Sequence, residues 1–229
     1  MLVSHAKKFI YIKTVKTAGS SVEVALQDQC IAPDAVLDKM TPMLDTDYGI
    51  VGARGPSVKD ARWYNHMPAQ KIRDQLPPEI WEGYCKICNI RNPWDKTVSW
   101  YHFQHTGVKD LPKDEVIAGF RAWLSNPDET RLGLDTNIYF IDDTPVADVY
   151  LRHSSLAEDY AALCARLGID AAPLPKLKSG QRGAKKIDFQ DYYDASLRDK
   201  VAELYARDIA HFGWTFDQAE PRALSGSAA

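Results

Sequence analysis

Short apolar runs and amphipathic stretches follow one another along the chain. Residues 9–12 and 84–90 are compact apolar runs, which is the pattern of buried strands. Apolar residues that recur three and four positions apart predict helices. The predicted helices cover residues 68–75, 93–104, 114–124, 155–167 and 196–212, further strands are predicted at 138–141 and 146–151, and residues 31–62 are predicted to be irregular. Because strands and helices alternate, we predict a three-layer α/β fold with a mostly parallel central sheet flanked by helices.

The length and charge of the chain limit its organisation and its partners. Its 229 residues suffice for one domain, predicted over residues 1–219 with a flexible tail at 220–229. With 28 basic and 31 acidic residues the net charge is −3, so no overall field attracts nucleic acid or an anionic membrane. The sequence contains neither a secretory leader nor a run of the ~20 apolar residues that span a bilayer, and a cytoplasmic location is predicted.

Cys85 and Cys88 form a C-x-x-C pattern, a feature of redox pairs and of half zinc sites. Both lie within the predicted strand 84–90, and no second pair of cysteine or histidine residues has the spacing of a zinc site. Buried thiols in a reducing cytosol are therefore the preferred interpretation, and no metal site is predicted.

A polar loop follows the first predicted strand. It consists of Lys16, Thr17, Ala18, Gly19, Ser20 and Ser21, and a helix is predicted to begin there with a capping box formed by Ser20 and Glu23. Unpaired N–H groups and the helix dipole favour an anion at such a junction. A Walker A loop places its lysine after the glycine, whereas Lys16 precedes Gly19, so an ATPase loop is not indicated. A turn that binds no ligand is the alternative.

A second strand-to-helix junction carries an arginine and a serine. Arg91 follows the predicted strand 84–90, Asn92 and Pro93 are typical of a helix start, and Ser99 lies further along that helix. A guanidinium and a hydroxyl so placed can hold one phosphate, and the planar arginine fork binds phosphate bidentately. Two anion sites on one chain predict a nucleotide with phosphates at two positions. A structural arginine beside an idle serine is the alternative.

These two junctions resemble those of sulfotransferases that use 3′-phosphoadenosine 5′-phosphosulfate (PAPS), and most closely the carbohydrate-type branch. The resemblance implies a P-loop-like fold, PAPS as sulfuryl donor, adenosine 3′,5′-bisphosphate as product and no metal requirement. It implies that residues 16–21 bind the 5′-phosphosulfate, with Lys16 stabilising charge on the bridging oxygen, and that Arg91 and Ser99 bind the 3′-phosphate. A late basic loop covers the nucleotide in this family, and the matching residues here are Lys178, Ser179, Arg182 and Gly183. Residues 152–155 depart from the family pattern, which often includes an acidic residue there.

The resemblance also implies an acceptor hydroxyl, of a carbohydrate or glycoconjugate, and a general base that takes its proton. His66 is the first candidate base, His102 and His105 are second candidates, and Arg54 is a candidate contact for an anionic acceptor. A histidine that caps a helix or bonds to backbone is the alternative for His66. Two other functions stay open at this point: an ATP-dependent kinase of the P-loop type, and a nucleotide-binding module without catalysis.

Overall fold

The computed structural model describes residues 1–37, 42–126, 136–175, 177 and 187–222. The chain forms two compact units, each built from two separate stretches of sequence. The first unit contains Met1–Ile90 and Asn137–Leu177, and the second contains Arg91–Thr136 and Lys178–Ala229. The single domain over residues 1–219 stays a prediction.

The described residues form short strands and mostly short helices. The strands are β1 (Leu2–Ser4), β2 (Phe9–Ile12), β3 (Leu44–Thr46), β4 (Gly49–Val51), β5 (Cys85–Ile90), β6 (Phe140–Ile141), β7 (Thr144–Pro145) and β8 (Val149–Arg152). The helices are α1 (Gly19–Leu26), α2 (Ala69–Gln75), α3 (Pro78–Gly83), α4 (Pro93–Gln104), α5 (Lys113–Ser125), α6 (Thr136–Tyr139), α7 (Leu156–Leu167), α8 (Ala195–Leu204) and α9 (Ala206–Phe212). Within these ranges, no helix combines the length and the apolar character that crossing a membrane requires.

The first unit contains a six-stranded mixed sheet in the order β3-β4-β1-β2-β5-β8. Strand β5 pairs in parallel with β2 on one side and with β8 on the other, whereas β1 pairs antiparallel with β2 and β4, and β3 with β4. Tyr11 of β2 lies opposite Ile87 of β5, so both strands run toward the same edge of the sheet. That edge is where the chain leaves β2 for the polar loop and leaves β5 for Arg91.

The sheet is mixed, whereas a mostly parallel sheet was predicted. The difference comes from β1, β3 and β4, which pair antiparallel and were not predicted. Each of these strands is three residues long, too short to show a hydrophobic period, and β3 and β4 fall in the stretch predicted to be irregular. Their pairing depends on close approach: a Cβ atom on Gly49 would lie 2.1 Å from the carbonyl oxygen of Val3, so only glycine fits there. The α/β class itself is confirmed.

Helices α1 and α7 bury apolar residues against this sheet. The shared core includes Tyr11 and Ile87 from the sheet, Val22 and Leu26 from α1, and Leu163 from α7. Gly168 ends α7 in the left-handed conformation, as the sequence predicted. Helix α2 ends at Gln75, before Pro77 and Pro78, and Pro78 then starts α3, because proline is well suited to the first turn of a helix.

The second unit is helical and has an aromatic core. Its central helix is α4, whose Trp94 donates from the indole to the carbonyl of Arg198 in α8 at 2.9 Å. The Tyr193 hydroxyl donates in turn to the carbonyl of Trp94 at 2.8 Å. Helices α4 and α5 match their predictions closely. The single helix predicted over residues 196–212 is two helices, α8 and α9, separated at Tyr205.

Candidate functional site

The loop between β2 and α1 has an unusual backbone. Lys16 and Ala18 have φ angles of 59° and 62°, which is the left-handed region, while Thr17 between them does not. Residues other than glycine adopt this region at an energetic cost, and such residues concentrate at functional sites. Left-handed residues within a turn can direct neighbouring N–H groups to one side, as in the concave anion sites of phosphate-binding loops.

Helix α1 begins without a capping side chain. Its N-cap residue is Ala18, and no side chain among the described residues accepts a hydrogen bond from the first turn. The predicted capping box of Ser20 and Glu23 is therefore wrong. In the part of the chain that the structure describes, the N–H groups of Gly19 and Ser20 have no hydrogen-bond partner. The helix thus presents donors to a ligand, and the hydroxyl of Ser20 is not used as a cap.

The side chains of the loop differ in how deeply they are buried. Lys16 and Ser20 are half-buried, while Thr17 is fully buried and its hydroxyl lies 2.8 Å from that of Thr14. Thr17 can therefore reach a ligand from this conformation only through its backbone. Gly19 lets the helix start approach β2, since a Cβ atom there would lie 3.0 Å from the Tyr11 hydroxyl.

The chain enters the predicted basic loop beside Ser21. The N–H of Leu177 donates to the carbonyl of Pro175 at 2.9 Å and lies 3.5 Å from the hydroxyl oxygen of the buried Ser21. Lys178, Ser179, Arg182 and Gly183 lie outside the described residues. The described neighbour of this basic segment, Leu177, is thus next to the anion loop within the first unit.

Arg91 stands at the start of the second unit, directly before helix α4. Asn92 caps that helix as predicted, its side-chain oxygen accepting from the N–H groups of Trp94 and Asp95. The Arg91 Nε donates to the Asp95 carboxylate at 2.6 Å, and both side chains are largely buried. Ser99 follows Asp95 by four residues and so lies on the same face of α4, where it is half-buried.

Asp95 is a functional candidate that the sequence motif did not point to. Its carboxylate binds the Nε edge of the Arg91 guanidinium and so fixes the plane of the fork. A guanidinium held in this way carries four further N–H groups on its two terminal nitrogens. The salt bridge therefore fixes the orientation of the Arg91 guanidinium.

His66 precedes α2 and has a left-handed backbone, with a φ of 61°. Its Nδ1 lies 3.1 Å from the carbonyl oxygen of Lys13. Because a carbonyl only accepts, Nδ1 carries the proton and Nε2 carries the lone pair of a base. His66 is exposed, with its ring against the Lys13 backbone, and burial followed by the charge of Lys13 lowers the pKa of His66 below its ordinary value. The ring is therefore neutral at pH 7.

Glu23 of α1 is the centre of a buried charge cluster. The Lys13 ammonium lies 2.6 Å from its carboxylate, the Arg54 Nε 3.3 Å and the Met1 ammonium 3.6 Å. Burial alone would raise the pKa of Glu23, but the positive charges of Met1, Lys13 and Arg54 outweigh it and hold the pKa below its ordinary value. Arg54 also donates to the side chain of Gln27 at 2.8 Å, so this candidate acceptor contact is engaged inside the protein.

Replacing Glu23 by glutamine is expected to lower the free energy of unfolding at pH 7 by about 3–5 kcal/mol, because two buried cations lose their counter-charge. A carboxylate with a lowered pKa stabilises the fold above the unfolded value of about 4.3, and the stabilisation is lost as pH falls through the folded pKa. The difference between variant and wild type should therefore shrink below pH ~4 in urea titrations. The exposed Glu82 gives the control variant Glu82→Gln. A loss that did not vary with pH would contradict the assignment.

The two second-choice bases lie in the second unit. His102 is 2 % exposed and its Nε2 lies 2.8 Å from the Tyr192 hydroxyl, so the ring cannot reach an acceptor from this position. His105 ends α4, with its Nδ1 3.0 Å from the carbonyl of Tyr101.

The described residues contain four cysteines without disulfides and no cluster of side chains that could hold a metal ion. Cys30, Cys85, Cys88 and Cys164 all lie in described ranges and are free thiols. Among the described residues, no group of three or more histidine, cysteine, aspartate or glutamate side chains is placed to hold a metal ion.

Comparisons of the chain with protein-family models, with curated proteins and with solved structures found no match.

Proposed function

We propose that this protein is a PAPS-dependent sulfotransferase that acts on a hydroxyl group of a carbohydrate or glycoconjugate, in a three-layer P-loop-like fold. The observation that carries the proposal is the start of α1. There an uncapped helix N-terminus follows a loop with two left-handed residues, and Lys16 stands within that loop. Such a junction suits a phosphosulfate because it combines unpaired donors, a favourable dipole and a cation.

The loop residues would bind and stabilise the reacting end of the donor. The N–H groups of Gly19 and Ser20 and the Ser20 hydroxyl would hold the 5′-phosphate oxygens, while Lys16 would face the bridging oxygen. PAPS supplies the sulfuryl group, whose bond to that oxygen breaks as the acceptor oxygen attacks. Donors fixed where negative charge develops are a large source of rate enhancement, because they need no reorganisation during the reaction.

His66 would take the acceptor proton. Its Nδ1 is committed to the Lys13 carbonyl, which leaves Nε2 as the site of proton uptake. The lowered pKa keeps the ring neutral and therefore competent as a base at pH 7. Lys13 lies three residues before Lys16 in the chain, so the same short stretch places both the base and the loop cation.

Arg91 and Ser99 would bind the 3′-phosphate. The salt bridge to Asp95 orients the guanidinium, and Ser99 lies on the same face of α4 as Asp95. Adenosine 3′,5′-bisphosphate carries a phosphate at its 3′ position, whereas ATP carries all its phosphates at its 5′ position. We also propose a cytoplasmic location, which the four free thiols support.

A thermal-shift comparison of nucleotides tests the proposal. Adenosine 3′,5′-bisphosphate at about 100 times its dissociation constant should stabilise the protein by about 2.7 kcal/mol, which corresponds to roughly 5–10 °C in Tm at this chain length. ATP with Mg²⁺ should give a smaller shift. A larger shift with ATP and Mg²⁺ would favour the kinase alternative, and binding of the bisphosphate without any sulfuryl transfer would favour the non-catalytic module.

The pKa of His66 is expected to rise when the bisphosphate binds. In the free protein the charge of Lys13 opposes protonation of the ring, and a phosphate dianion at the neighbouring loop would offset that charge. The change can be followed by NMR titration of the imidazole signals with and without the nucleotide. His5, at the opposite end of β2 from the loop, is the internal control. A fall in the pKa of His66, or an equal change at His5, would contradict its place beside the donor.

A further inference from the structure

A buried hydrogen-bond network lies beneath the anion loop. Its members are Tyr11, Thr14, Thr17 and Asn89, each 0–1 % exposed. Asn89 Oδ1 accepts from the Tyr11 hydroxyl at 2.7 Å, and Asn89 Nδ2 donates to the Thr17 carbonyl at 3.2 Å. The Thr14 hydroxyl donates to the Asn89 carbonyl at 2.6 Å. The network therefore joins β2, β5 and the loop inside the first unit.

The orientation of the Asn89 side chain follows from its partners. The Thr17 carbonyl can only accept, so the amide nitrogen must face it and the amide oxygen must face Tyr11. The Tyr11 hydroxyl also lies 3.2 Å from the carbonyl oxygen of Gly19. A hydroxyl donates one proton, and that of Tyr11 goes to the nearer Asn89 Oδ1, so the loop carbonyl that the network holds inward is that of Thr17.

The inward carbonyl of Thr17 fixes the direction of the next N–H group. In a trans peptide the C=O and the following N–H point in opposite directions. With the Thr17 carbonyl held inward, the N–H of Ala18 faces away from the network. Among the described residues this N–H group has no hydrogen-bond partner.

We infer that Asn89 and Tyr11 are positioning residues of this site: Tyr11 orients the Asn89 amide, which holds the Thr17 carbonyl inward and so aims the Ala18 N–H group at the 5′-phosphosulfate. The inference rests on the proposed function, because it names what orients the donors at that same site. Neither residue touches the ligand. Their effect on binding passes through the loop backbone.

The variants Tyr11→Phe and Asn89→Ala test this inference. Each should weaken binding of adenosine 3′,5′-bisphosphate and of adenosine 5′-phosphate about tenfold, since oriented hydrogen bonds to a charged group are lost. Binding of adenosine 3′-phosphate should not change. Affinities are measured by calorimetric titration, and folding is measured by urea denaturation of the same samples.

Ser4→Ala is the matched control. Ser4 is fully buried in β1 of the same sheet, and its hydroxyl also donates to a backbone carbonyl, that of Gln29. This variant should lose stability but keep its affinity for all three nucleotides. Tyr11→Phe removes a single oxygen and is the smaller change. Its affinities for the three nucleotides therefore test the inference even if Asn89→Ala does not fold.

The outcomes separate the inference from the proposed function. Equal losses for the 5′- and 3′-phosphates, or no loss for either, would overturn the positioning role while leaving the sulfotransferase proposal in place. A wild-type protein that binds no bisphosphate would overturn both.

Discussion

Replacing Lys16 by methionine is expected to lower the rate of sulfuryl transfer about 10²–10³-fold, which is the usual effect of removing one preorganised donor at a developing negative charge. Methionine keeps most of the aliphatic length of lysine but cannot donate to the bridging oxygen. The residue is half-buried in a loop, so the substitution should leave the fold intact. The measurement is transfer from sulfur-35-labelled PAPS to the best acceptor of a carbohydrate panel, or to water if none is sulfated.

The control for Lys16 is Lys71→Met, which removes an exposed cation from α2 in the same unit. That variant should transfer at the wild-type rate. A Lys16→Met protein that retained more than a tenth of wild-type turnover, with an unchanged Tm, would contradict the role of Lys16 in the reaction. A rise in Km with kcat unchanged would instead assign Lys16 to ground-state binding of the donor.

Replacing Arg91 by alanine is expected to weaken binding of adenosine 3′,5′-bisphosphate about 10- to 100-fold, because charge-assisted hydrogen bonds are worth about 1.5–3 kcal/mol each. The loss should depend on the 3′-phosphate. Adenosine 5′-phosphate should bind the variant and the wild type equally well. Calorimetric titration of both nucleotides against both proteins gives the coupling between the side chain and the phosphate directly.

Asp95→Asn separates phosphate binding from the effect of the broken salt bridge. It removes a charged partner that orients Arg91 but keeps the guanidinium, so affinity for the bisphosphate should fall much less than in Arg91→Ala. Stability is expected to fall in both variants, because each removes a salt bridge between two largely buried groups. If Asp95→Asn weakened binding as much as Arg91→Ala, Arg91 would be a structural residue and the 3′-phosphate assignment would be wrong.

The parts of the fold that were predictable from sequence are those specified by local chemistry. Strand β2 lies at the residues predicted, and Asn92 caps α4 as its position before a proline indicates. Strands β1, β3 and β4 were missed because three-residue strands are specified by their neighbours. Their pairing partners are distant in sequence, and no pattern within so few residues reveals them.

Glu23 shows why a local pattern can mislead. Its spacing from Ser20 fits a capping box, but Lys13 and Arg54 compete for its carboxylate and hold it inside the protein. Charges brought together by tertiary structure outweigh one helix-capping bond. The consequence for function is direct, since the first turn of α1 is left with donors for a ligand.

Asn89 could not be predicted as part of the site either. In the sequence it is one polar residue in an apolar strand, and its importance depends on the parallel pairing that puts it beside the loop. Lys13 was missed for the same reason. Its ammonium donates to Glu23 and its carbonyl contacts His66, and these residues lie 10 and 53 positions away in the chain.

The central claim is that the loop before α1 binds the 5′-phosphate of adenosine 3′,5′-bisphosphate. A crystal structure of the complex tests it most directly. The account predicts the 5′-phosphate within about 3.1 Å of the Gly19 and Ser20 nitrogens. A bound nucleotide whose 5′-phosphate lies away from this loop would contradict it.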